Sequence, residues 1–117
     1  MARRKRYIRG RVYFTNDKLL VGGKGKTRRV VSMGNDKNNM EVRRVFSLFD
    51  KNGNKRERLI SIERYKDIPK LSGVENKTFR KTVNGKSIQE KFLGKTKTRL
   101  NKFDMQRIIK GKKNEWQ

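Results

Sequence analysis

The chain is 117 residues long, and its 34 Lys and Arg against 11 Asp and Glu give a formal charge of +23. Leu, Ile, Val and Phe supply 28 of those residues, about 24% and above the roughly 20% below which a highly charged chain stays disordered, so one small core is expected. There is no His and no Cys, which excludes imidazole acid–base chemistry, thiolate nucleophiles, disulfides and zinc fingers.

No apolar run approaches the roughly 18 residues that span a bilayer, and the cluster Arg3 to Arg6 is not followed by an apolar signal core. The expectation is a soluble, cytoplasmic chain with no membrane partner and no cofactor. With one proline, Pro69, and no repeat, residues 1–117 read as a single domain with flexible basic ends at about 1–6 and 112–117. So much like charge repels itself and calls for a polyanion or an acidic protein as partner, nucleic acid first.

Tyr7 to Phe14 is rich in aromatic and β-branched residues and predicts a first strand, with Ile8, Val12 and Phe14 on one face and Arg9, Arg11 and Tyr13 on the other. A glycine and lysine loop, Val21 to Thr27, leads to a buried second strand, Arg29 to Met33, and Asn35 to Asn39 predicts a turn. Met40 to Phe49 alternates as a third strand: Met40, Val42, Phe46 and Leu48 share one face and Arg43, Val45, Ser47 and Phe49 the other. Asn52-Gly53 predicts a hairpin pairing it with Arg58 to Ile62. Asn84-Gly85 allows a second hairpin, but Ser87 and Glu90 fit a capping box, and a short helix from Ile88 to Leu93 stopped by Gly94 is preferred. Asn101 predicts the cap of a last helix, Lys102 to Lys110, with Met105, Ile108 and Ile109 as its apolar stripe and Gly111 as its end. Short antiparallel strands followed by a helix predict a mainly β, α+β fold: a small open antiparallel barrel with a short helix and a C-terminal helix.

Gly25-Lys26-Thr27 imitates the end of a P-loop, but Leu20 stands where the first glycine is required and a strand follows, so nucleotide hydrolysis is excluded. The loop is either a set of solvated lysines or a basic flap that contacts phosphates. The acids are scattered in turns or beside Lys and Arg, so no carboxylate metal site is expected. Basic residues interleaved with aromatics offer phosphate contacts plus stacking surfaces for single-stranded RNA. Arg9, Arg11, Tyr13, Lys24, Lys26, Arg29, Arg43 and Phe49 are the candidates for RNA contact, whereas parity assigns Phe14 and Phe46 to the core. Arg28 and Ser47, on adjacent strand ends, could meet at one phosphate. Cleavage of RNA by its own 2′-OH needs aligned attack and neutralisation of the phosphorane, and a fixed Arg supplies the second.

The run Tyr7-Ile8-Arg9-Gly10-Arg11-Val12-Tyr13-Phe14, a glycine-rich loop, and then Lys26 to Asp36 (KTRRVVSMGND) resembles the MazF/PemK family of bacterial toxin ribonucleases. That family opens with an RGDVY-like strand, then a glycine-rich loop, an RPVVVI..ND-like strand and a strand ending in Thr or Ser. Arg28 matches its catalytic arginine, and Ser47, in Arg44-Val45-Phe46-Ser47, falls where its catalytic Thr or Ser lies. Arg11 replaces the family's Asp and Arg29 its Pro. The resemblance implies an SH3-like barrel, a homodimer with RNA in a groove across it, metal-independent cleavage to a 2′,3′-cyclic phosphate and a 5′-OH, and neutralisation by an acidic antitoxin. The function expected is therefore a toxin-type endoribonuclease acting on single-stranded RNA such as mRNA. The alternatives are a non-catalytic RNA-binding regulator on the same or a PUA-like small barrel, and a ribosomal or other RNA-assembly protein.

Overall fold

The computed structural model describes residues 9–34, 38–66, 68 and 70–115, the last five as backbone alone. Tyr7, Ile8 and the basic arm before them, the first three residues of the Asn35 to Asn39 turn, Asp67, Pro69 and the last two residues lie outside the described residues. The strands are β1 (Arg11–Asn16), β2 (Thr27–Gly34), β3 (Glu41–Ser47), β4 (Ile60–Ser61), β5 (Ser72–Val74) and β6 (Gly94–Arg99), followed by helix α1 (Lys102–Glu115). They form one antiparallel sheet in the order β4-β5-β3-β2-β1-β6. No described helix is long and apolar enough to cross a membrane.

The sheet is covered on both faces, which explains why simple alternation misassigns β1. Val12, Val31, Val45 and Val74 pack with Ile62 and Ile108 on one side, while Tyr13, Val30 and Val42 pack with Met40, Phe79 and Ile88 on the other. Consecutive apolar residues such as Val30-Val31 are what a strand buried on both faces requires. Each buried valine contributes about 1.5–3 kcal/mol relative to exposure.

The pairing expected from Asn52-Gly53 is corrected. The turn forms, with Gly53 at φ +83, but it closes only the bridge between Phe49 and Lys55. β4 pairs with β5, and β5 takes the place beside β3, Ser47 facing Ser72. Gly73 makes this possible, because a Cβ there would lie 2.7 Å from the Cβ of Leu59. The helix expected from Ile88 to Leu93 shrinks to a single 3-10 turn, Glu90–Phe92, with no side-chain cap at Gln89. The hairpin alternative is closer: Gly85 has φ +83, Lys81 bridges Ser87, and Ile88 is fully buried while its carbonyl accepts from Met40 N. Gly94 then opens a strand instead of ending a helix, and β6 alternates exposed Lys95, Lys97 and Arg99 with more buried Thr96 and Thr98.

Helix α1 is capped as expected, Asp104 N donating to Asn101 Oδ1 at 2.8 Å. It runs through Gly111, whose cost of about 1 kcal/mol against Ala weakens a helix without ending it. Ile108 is buried, but Ile109 faces solvent. The buried Asp104 carboxylate locks the helix to the sheet, accepting from Tyr65 OH and from Glu63 N at 3.0 Å on one oxygen and from Arg107 Nη2 at 2.6 Å on the other.

Candidate nucleic-acid interface

The site begins at Asp17, the residue after β1. Asn16 accepts from Lys18 N at 3.0 Å and turns the chain, leaving the Asp17 carboxylate buried. Its Oδ1 accepts from Gly25 N at 2.8 Å and Lys26 N at 2.9 Å, and its Oδ2 accepts from Arg28 Nε at 3.1 Å. Burial raises the pKa of a carboxyl, but the Arg28 hydrogen bond, the two loop N–H donors and the Arg28 charge together outweigh it and hold Asp17 below the usual range. The glycine loop is therefore tied at its base, with Gly25 at φ +91, and presents Lys24 and Lys26 to solvent from a fixed frame. Asp17 went unrecognised as a site residue, although an Asn-Asp pair at a strand end ahead of a glycine loop is its signal.

The same contacts aim Arg28. Its guanidinium lies 4.4 Å from the centroid of the Phe46 ring, and Arg44 lies 5.1 Å from it. Arg44 is itself held by Glu75, Nε to Oε2 at 2.6 Å and Nη2 to Oε1 at 3.0 Å. Phe46, expected in the core, is thus a half-buried ring between two guanidinium groups.

The pleat decides whether Arg28 and Ser47 meet. In the β2–β3 register Val30 faces Arg44 and Val31 faces Arg43. Arg28 shares the face of Val30, and Phe46 that of Val42 and Arg44, as their stacking requires. Ser47 shares the opposite face with Val45, which packs with Val31 and Val74. Arg28 and Ser47 both border one cleft of about 240 Å³, yet the Arg28 guanidinium is turned to Phe46 and Asp17, away from the Ser47 hydroxyl. The structure thus brings Arg28 and Ser47 to one cleft while Asp17 and Phe46 engage the Arg28 guanidinium. The guanidinium on the Ser47 face is that of Arg29, the next residue along β2. Arg29, Thr27, Ser47, Lys70 and Ser72 line this cleft, and among the described residues neither Arg29 nor Lys70 has a carboxylate partner. Two cations and the hydroxyls of Thr27 and Ser47, with that of Ser72 donating to Lys70 O at 2.8 Å, match the needs of a phosphate dianion or diester. Lys70 was missed because nothing in the local sequence links it to β2; only the insertion of β5 beside β3 brings it there.

Two other candidates are withdrawn by burial. Tyr13 is fully buried and its hydroxyl donates to Glu90 Oε2 at 2.7 Å, so its ring has no free face; burial and then Glu90 push its pKa up to about 12. Arg43 is also fully buried, its Nε donating to Thr78 Oγ1 at 3.0 Å, and burial lowers its pKa. Both fail as contacts because β1 and β3 are covered on both faces. Arg9 is exposed, with its carbonyl accepting from Arg99 Nε at 2.9 Å, and Arg11 is half-buried opposite Arg99. Phe49, two residues beyond Ser47, is 44% exposed, and so is Phe14, which parity had assigned to the core.

No family model matches this chain, and no curated protein matches it either.

Proposed function

We propose that this protein binds single-stranded RNA, gripping a backbone phosphate in the cleft between β2, β3 and β5. The observation that carries this reading is the meeting of Arg29, Lys70 and Ser47 at a cleft of about 240 Å³ on a chain of charge +23. Arg offers a planar fork to a phosphate and Lys a point charge, and the hydroxyls complete the donor set. Fluorescence anisotropy with a labelled single-stranded RNA tests it. Binding should weaken tenfold or more in an Arg29→Ala, Lys70→Ala double variant that melts at the wild-type temperature. Equal affinity in wild type and variant refutes the cleft as the grip.

A second reading, metal-independent cleavage at the same cleft, is favoured by the hydroxyl of Ser47 beside the Arg29 guanidinium. In that reaction the 2′-oxygen bonds to phosphorus and gives its proton to a water molecule, while the bond from phosphorus to the 5′-oxygen breaks and that oxygen takes a proton from water. A permanently protonated Arg stabilises the phosphorane charge and accepts no proton. The SH3-like barrel, the homodimer and an acidic antitoxin belong with this reading and rest on the resemblance to the toxin ribonucleases. Incubation with RNA in EDTA separates the two: a cyclic-phosphate product lost in Arg29→Ala supports cleavage, and intact RNA leaves binding alone.

A further inference from the structure

We infer that Phe14 is a base-stacking platform beside the phosphate cleft, so that a single strand held there continues across β1 to the cationic edge strand β6. The inference rests on the RNA-binding reading above and adds to it a subsite for the base.

Three features of the structure lead to it. First, Phe14 stands directly opposite Arg29 in the β1–β2 register. Such partners point to one face with their Cβ atoms about 5 Å apart. The ring is therefore the immediate neighbour of the guanidinium that enters the cleft. Second, the ring is both exposed and fixed. On its other side Phe14 faces Gly94, and a Cβ added at that glycine would lie 2.7 Å from Phe14 Cε1. The missing side chain lets one part of the ring rest on bare backbone, while 44% of the residue stays open to solvent. A ring held in this way has little rotamer freedom left to lose when a base stacks on it. Third, the clefts adjoin one another through shared lining residues. Thr27 borders both the phosphate cleft and a neighbouring one of about 610 Å³ that includes Phe14. Phe14 in turn borders a third, of about 580 Å³, with Lys66, Lys95, Lys97 and Arg99.

The occupant is fixed by chemistry. The apolar ring favours a flat π-system, and Lys66, Lys97 and Arg99 beyond it, with Lys95 paired to Glu90, favour a strand with a charge at each unit. A single-stranded nucleic acid offers both, whereas an acidic peptide offers only the charge. A structural role is the competing explanation for Phe14, since an aromatic ring that covers a cross-strand glycine stabilises a sheet without any ligand.

The experiment compares a single-stranded RNA with an abasic ribose-phosphate oligomer of the same length, both read by anisotropy against the full chain. Wild type should bind the RNA at least fivefold more tightly than the abasic strand, the scale of one stacked base. Phe14→Leu, which keeps an apolar cover over Gly94, should lose most of that preference while binding the abasic strand as wild type does. Phe14→Tyr should keep it. If Phe14→Leu retains the full preference, or polyglutamate displaces the RNA from wild type and Phe14→Leu alike with no base dependence, the platform is wrong while the phosphate grip stands. If wild type binds neither strand, both readings fall together.

Discussion

Asp17 carries more of the site than any cation does. It closes the glycine loop through two backbone donors and fixes Arg28 through a third, all from a position that is 3% exposed. Replacing it by Asn keeps the size but removes the charge, and should cost about 1.5–3 kcal/mol, the range for hydrogen bonds to a charged partner. Its carboxyl is held below the ordinary 3.8. The stability it adds is therefore complete above that value and lost as pH falls through the lower folded-state value. Urea melts of wild type and Asp17→Asn should differ at pH 6 and converge as the pH falls well below 4. Arg43 is the opposite case. It is fully buried, opposite Val31, and among the described residues its Nη1 and Nη2 have no partner. A guanidinium bonded only through Nε is an expensive way to fill a core position. Arg43→Met, of similar length and without charge, should leave stability unchanged or raise it by up to about 2 kcal/mol. Thermal melts read the sign directly.

Among the elements, α1 depends on one carboxylate. Asp104 receives Tyr65 OH, Glu63 N and Arg107 while its own N–H is capped by Asn101. Asp104→Ala should cost about 1–3 kcal/mol, because it takes the acceptor from the part-buried Tyr65 hydroxyl and from Glu63 N at once, and hydrogen exchange along α1 should speed up with it. Tyr65 is pushed up to about 12, first by burial and then by the Asp104 bond. It contributes stability that is complete below pH 10 and fades as pH rises toward 12, an alkaline limb that Tyr65→Phe should shrink and that Tyr13, raised to the same value, should keep in part. The legible elements were those whose signal is local. β1, β2 and β3 were placed by their β-branched runs, though with shifted ends and with the faces of β1 misassigned, and Asn101 announced α1; β6, as long as β1, went unread. What escaped were elements made by long-range contact. Ser72-Gly73-Val74 carries almost no strand propensity and becomes β5 only because Leu59 and β3 close around a glycine. The Ser87 and Glu90 pair satisfied a helix signature, but burial of Ile88 against Met40 favoured extended backbone. The candidate site followed the same division: Arg29 and Ser47 were found from their strands, whereas Lys70 and the exposure of Phe14 depend on which strands lie next to one another.

At the scale of the whole molecule, a chain of formal charge +23 has a Cα radius of gyration of 14.1 Å, and the Debye length is roughly 10 Å at 0.1 M salt and about 30 Å at 0.01 M. Self-repulsion therefore acts between neighbouring cations at 0.1 M and reaches across the fold only near 0.01 M. The five ion pairs among the described residues offset it only locally, and two of them, Arg28 with Asp17 and Arg44 with Glu75, are shielded enough to resist salt. Added salt should then stabilise the free protein, raising its melting temperature as repulsion between unpaired cations is screened. RNA binding should respond in the opposite sense, its log affinity falling linearly with log salt by about 0.7 for each phosphate neutralised on a single strand. The two responses share one cause, so a single titration from 50 to 500 mM salt, with melting temperature and anisotropy read on the same samples, tests it. Arg29→Ala should lower the binding slope by about 0.7 and leave the stability trend intact, since one charge among 34 cations barely alters the repulsion. A melting temperature that falls with salt would mean that the exposed ion pairs outweigh the excess charge, and a binding slope unchanged in Arg29→Ala would remove that guanidinium from the phosphate path.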